Sequence, residues 1–184
     1  MDDDEITRYA FRAADGDEAA AERFVSATQR QLHRLLSYLS SPAVAEDLMQ
    51  ETYLRAFGSL SAYEGRAPAR MWLLAIAKRV AADHLRAQQR RPARSQAEDW
   101  VAAAERQGAY APDHGRLVVL RRLVGELEPE RREAFVLTQV LGLSYADAAQ
   151  VCDCALGTIR SRVFRAREDL TAALHAGERQ ASHG

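Results

Sequence analysis

Apolar positions along the chain recur at helical spacing, so nearly every segment reads as helix. Gly16-Asp17 separates a short first helix from a longer one that reaches about Leu39. Ser40-Ser41-Pro42 is a break, and a third helix runs from about Ala43 to Phe57. Ser61 to Ala69 reads as a loop containing Gly65 and Pro68, and a fourth helix spans about Ala69 to Gln89. From Arg90 to Gly115 the apolar period is lost, while Pro92, Gly108, Pro112 and Gly115 accumulate. That stretch reads as a linker with one helical turn around Trp100 to Glu105. Helical spacing returns over Arg116–Leu127 and over Glu130–Leu141, where Gly142 ends it, then over Ser144–Cys152 and Leu156–Leu174. The tail from Ala176 is expected to fray. The predicted fold is all-α. It comprises two small helical domains, residues 1–90 and 116–175, a flexible linker at 91–115 and a tail at 176–184.

The last long helix carries a clear division of faces. At about 100° per residue, Ile159, Val163, Ala166 and Leu170 form one narrow apolar stripe. Ser161, Phe164 and Glu168 point the other way with Arg165 beside them, and Arg160, Arg162 and Arg167 lie on the flanks. An aromatic ring opposite the core stripe, among serine and arginine, suits a DNA major groove. There arginine reads guanine edges and a ring touches thymine methyls, while flanking arginines hold phosphates. The preceding helix opens at Ser144 with Asp147 three residues on, close to a capping box. It also carries Ala148 and Ala149, small enough for a crossing helix, and Asp153-Cys154 makes a tight turn between the two. This is a helix-turn-helix pattern, which by itself means DNA binding and no more.

The first domain offers two further faces. In the third helix the wheel buries Met49, Tyr53, Ala56 and Phe57, and turns Asp47, Glu51 and Leu54 outward with Gln50 and Arg55 beside them. A leucine exposed among carboxylates suits docking of a basic helix, though the pattern alone equally allows a plain solvated face. In the fourth helix Leu73, Ile76, Ala77 and Val80 point inward, and His84 falls near that stripe. Trp72, Arg79 and Arg86 share another face, with Lys78, Arg66 and Arg70 nearby. Aromatic rings beside arginines suit unstacked single-stranded bases, although Trp72 taken singly also fits a core.

Composition sharpens this picture through its distribution. The net charge is only −1. Residues 1–51, however, hold eleven acids against five arginines, a net of −6, whereas residues 52–94 carry a net of +7. Residues 95–157 return to −4 and residues 158–170 to +2. Such blocks imply faces with different partners. The start, Met1-Asp2-Asp3-Asp4-Glu5, is the opposite of a signal peptide, and no apolar run approaches membrane-span length. Cys152 and Cys154 are too close for an easy internal disulfide and too few for a zinc site. Membrane insertion is not expected, and a cytoplasmic setting fits. The five histidines are scattered, and there is no glycine-rich phosphate loop or activated nucleophile. An enzyme is therefore not expected, nor a cofactor or a metal site.

Three motifs in order resemble one family. LSSPAVAEDLMQETYLRAF (residues 39–57) is similar to the polymerase-binding helix of region two of bacterial sigma factors. YEGRAPARMWLLAIAKRVAADHLR (63–86) resembles the part that melts and reads the minus-ten element, and residues 128–170 resemble region four. Counterparts of regions one and three are missing, which points to the extracytoplasmic-function (ECF) group, and the wording of region four resembles its actinobacterial sigma-C branch. The resemblance implies a subunit that gives RNA polymerase its promoter specificity. Asp47, Leu48, Gln50, Glu51, Leu54 and Arg55 would grip the beta-prime clamp helices of core polymerase, with further contact to the beta subunit. Residues 63–69 would capture a flipped base, and Tyr63, Arg66, Arg70, Trp72, Lys78, Arg79 and Arg86 would serve minus-ten recognition and melting. Thr158, Arg160, Ser161, Arg162, Phe164, Arg165 and Arg167 would read the minus-thirty-five element of promoter DNA. The resemblance also implies an anti-sigma factor as partner. Pro68 stands where the family usually has a small polar residue, and Ala155 where it often has proline. The competing reading is a stand-alone helix-turn-helix regulator, which would leave the Asp47/Glu51/Leu54 face without a purpose.

Overall fold

The computed structural model describes residues 1–90 and 114–181, with side chains over 1–90 and 119–176. The expected turn at Trp100–Glu105 and nearly all of the linker lie outside the described residues. The chain divides into two compact units, Met1–Ala93 and Arg94–Gly184. All regular structure among the described residues is helical.

The first unit holds α1 (Asp3–Ala14), α2 (Glu18–Leu39), α3 (Ala45–Ser59), a single tight turn at Leu60–Ala62, and α4 (Ala69–Gln89). Asp2 caps α1 by accepting from the Glu5 N–H at 2.8 Å, and the acids Asp3, Asp4 and Glu5 suit the positive end of the helix. Gly16 turns the chain at φ +91°, a left-handed conformation that costs glycine little. Asp17 then caps α2 through the Ala20 N–H and pairs with Arg12. Those contacts with Ala20 and Arg12 hold the Asp17 carboxyl below its ordinary pKa. The core gathers Ile6 and Ala10 from α1, Phe24, Leu32, Leu35 and Leu36 from α2, and Leu73, Leu74, Ala77 and Val80 from α4.

Helix α3 departs from the expected stripe. Its buried line is Ala45, Leu48, Thr52 and Ala56, while Met49 and Tyr53 are half-buried and Phe57 is exposed. The reason is that α3 packs on two neighbours, α2 and α4. Tyr53 and Phe57 lean to the α2 side, where the Tyr53 hydroxyl lies 2.8 Å from Thr28 Oγ1 and Phe57 meets Phe24 edge-on at 6.3 Å. Three of the four buried residues, Ala45, Thr52 and Ala56, are small, and Leu48 is the large side chain that fills the space between the neighbours. Burial pushes the Tyr53 hydroxyl pKa up. In α4 the expected inward residues Leu73, Ile76, Ala77 and Val80 are all buried, and His84 is half-buried.

The second unit holds α5 (His114–Glu126), α6 (Pro129–Phe135), α7 (Tyr145–Cys152) and α8 (Leu156–Ala181). Pro129 occupies the first turn of α6, where a missing N–H costs nothing. Helix α6 runs on through a widened turn, Val136–Val140, in which the Leu141 N–H reaches back to the Val136 carbonyl at 2.9 Å. Gly142 at φ +73° ends it, and the Leu143 N–H bonds the Leu137 carbonyl in a glycine-type helix stop. Arg132 is half-buried, and its guanidinium donates to the carbonyls of Gly125 and Leu127, closing the open end of α5. Burial pushes its pKa down. The tail differs from expectation, because α8 continues to Ala181 instead of stopping near Leu174. Neither cysteine is in a disulfide; Cys152 is buried and Cys154 half-buried.

Candidate nucleic-acid and protein interfaces

The helix-turn-helix forms from α7 and α8. Ser144 Oγ accepts from the Asp147 N–H at 3.1 Å and donates to the Asp147 carboxylate at 2.7 Å, so Ser144 caps the helix, with the carboxylate taking the hydroxyl in place of the Ser144 N–H that a full capping box would use. Asp153 turns the chain at φ 51°, ψ 53°, and the Cys154 N–H bonds back to the Ala149 carbonyl. In α8 Ile159, Val163, Ala166 and Leu170 are buried in the stripe the sequence predicts. Packing them inward turns Arg160, Ser161, Phe164, Arg165 and Arg167 out, with Thr158 and Arg162 half-buried at the margin. Phe164 is 62% exposed. The ring stands clear of the core among serine and arginine and is sterically open to a groove. Arg167 is anchored to Gln139 Oε1 at 2.7 Å, and Arg162 reaches Cys154 Sγ at 3.9 Å. Ser161 donates to the Thr158 carbonyl at 2.9 Å.

On α3 the outward face holds Asp47, Gln50, Leu54 and Arg55, with Glu51 half-buried. Leu54 is 70% exposed, the apolar centre of a polar ring. Leu48 is corrected: at 7% exposure it belongs to the core and offers no surface to a partner. Arg55 donates to Glu51 at 2.7 Å and to Asp83 of α4 at 2.9 Å, which fixes this face to its neighbour helix. Those two carboxylates, Asp83 foremost, raise the Arg55 pKa.

The loop between α3 and α4 and the α4 arginines form the third face. Tyr63 is also corrected, being only 8% exposed. Its ring lies between Phe11 at 5.2 Å and Trp72 at 5.0 Å, and its hydroxyl donates to the Ala67 carbonyl. It therefore shapes the loop from inside. Burial pushes its hydroxyl pKa up, offset by a hydrogen bond with Thr7. Trp72 is half-buried, Arg79 and Arg86 are exposed, and Lys78 is half-buried. Arg66 is exposed and pairs with Glu64, Arg86 pairs with Asp83, and Arg70 pairs with Asp3. The sequence reading assigned no role to Asp3, Phe11, Asp83 or Gln139. Their importance comes from contacts made far along the chain, which local spacing does not reveal.

Among the described residues no helix is long and apolar enough to cross a membrane, and no cluster of His, Cys, Asp and Glu is placed to hold a metal.

The second unit thus carries a helix-turn-helix that turns arginines and Phe164 outward, and the first unit carries an outward Leu54 face and an aromatic and basic loop face. Comparison with known proteins gives the family. Residues 24–91 match the family described as Sigma-70 region 2, and residues 117–170 match Sigma-70, region 4. The chain is 46% identical over 173 residues to the ECF RNA polymerase sigma factor SigC of Mycobacterium tuberculosis, covering 93% of this chain and 92% of that protein. It is 31% identical over 167 residues to the ECF RNA polymerase sigma-E factor of Escherichia coli, covering 85% and 87%. Among solved structures it is similar to CnrH in complex with the cytosolic domain of CnrY. That match has a TM-score of 0.71 at 27% identity and covers 95% of this chain and 99% of that one. It is also similar to the sigma factor RpoE in complex with the anti-sigma factor NepR from Bartonella quintana. There the TM-score is 0.66 at 27% identity, covering 84% and 96%. The chain belongs to the ECF sigma factors of the sigma-70 family, non-enzymatic factors that direct transcription initiation.

Proposed function

We propose that this chain binds core RNA polymerase through the outward face of α3 and delivers it to promoters read at two elements. Asp47, Gln50, Glu51, Leu54 and Arg55 would meet the beta-prime clamp helices, with Leu54 as the apolar anchor and the carboxylates facing basic groups. Leu48 would support this face from beneath. Trp72, Arg79, Arg86 and Lys78, with the loop ending at Ala69, would hold the melted strand at the minus-ten element. Helix α8 would enter the major groove at the minus-thirty-five element, with Arg160, Ser161, Phe164 and Arg165 toward base edges and Arg162 and Arg167 toward phosphates. The observation that carries this reading is the pairing of two outward apolar side chains, Leu54 and Phe164, each ringed by polar residues on a helix whose other side is packed. A protein with a DNA-reading helix alone would need only the second. The work would be cytoplasmic. An anti-sigma partner is supported by the similarity to RpoE, which was solved with the anti-sigma factor NepR.

Site-specific photocrosslinking tests the assignment. A benzoylphenylalanine placed at Leu54 is expected to label the beta-prime subunit in the reconstituted holoenzyme. The same group at Phe164 is expected to label duplex DNA upstream of the start site, and only when core polymerase is present. Labelling of DNA from Phe164 by the free chain, with none of polymerase from Leu54, would favour the stand-alone regulator.

A further inference from the structure

Helix α1 lies ahead of the residues that match region 2, which begin at residue 24. It meets the α3–α4 loop and the start of α4 at three points. The Asp3 carboxylate pairs with the Arg70 guanidinium. Thr7 Oγ1 accepts from the Ala69 N–H at 3.0 Å while donating to the Asp3 carbonyl at 2.7 Å. This satisfies the N–H of Ala69, one of the donors that the first turn of α4 leaves without a partner inside the helix. Phe11 packs on Tyr63 and fills the space beside Gly65, where a Cβ would stand 2.8 Å from Phe11 Cζ. Gly65 also has φ +71°, so its place is closed to other residues twice over. Asp3, Thr7 and Phe11 fall four apart on one stripe of α1, next to the Ile6 and Ala10 stripe that enters the core.

Resting on the reading of residues 63–69 as a base pocket, we propose that α1 is the brace that sets the shape of that pocket. Asp3, Thr7 and Phe11 are then positioning residues for recognition of an unpaired promoter base. Phe11, Tyr63 and Trp72 form a continuous row of rings from α1 through the loop to α4. The row fixes one end of the loop, and the Thr7–Ala69 hydrogen bond fixes the other. A loop held at both ends meets its base without first losing conformational freedom, which favours capture and sharpens discrimination.

The test compares wild type with Thr7→Val, Thr7→Ser, Phe11→Ala and a loop variant, Glu64→Ala/Arg66→Ala. Each is assembled with mycobacterial core polymerase on a template library randomised through both promoter elements. Sequenced transcripts give base preference, and fluorescence titration gives core affinity. Thr7→Ser is expected to behave as wild type. Thr7→Val is expected to keep core affinity but to lose about five- to tenfold of the preference at one position, the cost of about one lost hydrogen bond, and Phe11→Ala is expected to keep core affinity and lose preference at that same position through the lost ring contact with Tyr63. The same position should flatten in the loop variant. If the loop variant loses the preference while Thr7→Val and Phe11→Ala keep it, the brace is wrong and the pocket stands. If the loop variant also keeps it, the pocket reading fails and the brace with it. Equal loss of core binding by Thr7→Val and Thr7→Ser would make α1 a general folding element and overturn the proposal.

Discussion

Asp83 Oδ2 on α4 accepts a hydrogen bond from Arg55 Nη1 on α3 at 2.9 Å, while its other oxygen takes Arg86 at 2.7 Å. One carboxylate thus ties an arginine of α3 to an arginine of α4. Arg55 first and Arg86 second hold its carboxyl below the ordinary range.

That depression has a signed consequence. A carboxyl with a lower pKa folded than unfolded adds stability above the unfolded value and loses it as pH falls through the folded one. The Asp83 contribution is therefore constant near neutrality and disappears below about pH 4. It should be small, because the pairs are solvated. Urea denaturation of wild type and Asp83→Asn across this range is expected to give curves that converge in acid. A difference that grows on acidification would contradict the assignment.

Leu48 and Leu54 should separate stability from docking. Leu48→Ala opens a cavity in the first unit and should cost about 2–5 kcal/mol. Leu54→Ala removes a solvated side chain and should change stability by less than about 0.5 kcal/mol, yet weaken binding to core polymerase at least tenfold, as loss of a hot-spot residue does. Calorimetry and fluorescence titration read the two effects.

Phe164 and Ile159 make the matching pair in the second unit. Ile159 is fully buried, and Ile159→Ala should cost about 2–5 kcal/mol. Phe164→Ala should leave the melting curve in place but reduce initiation, most at promoters whose upstream element carries thymine at the contacted position.

Ser144 should matter for the helix-turn-helix without touching DNA. Ser144→Ala removes the cap of α7 and should cost about 1 kcal/mol, read by chemical denaturation. Ser144→Asp should restore most of it.

The features legible in the sequence were those that depend on one helix and one neighbour. The α8 stripe of Ile159, Val163, Ala166 and Leu170 was read correctly because α8 has a single packed side, and the Ser144 cap and Asp153 turn are local chemistry. Helix α3 misled because it has two neighbours, so its buried line falls on Leu48 and Thr52 instead of Met49 and Phe57. Tyr63 looked like a base contact, but Phe11, far earlier in the chain, covers it. The Thr7–Ala69 hydrogen bond joins residues 62 positions apart, and no spacing rule could announce it. The end of α8 was placed too early because its last turns carry no apolar stripe to follow.

Run-off transcription tests the central claim most directly. Core polymerase from a mycobacterium is assayed with and without this chain on a promoter library. The account predicts initiation that depends on the chain and is confined to a restricted set of promoters sharing two separated elements. Absence of initiation, together with tight and specific binding of the free chain to duplex DNA, would contradict it.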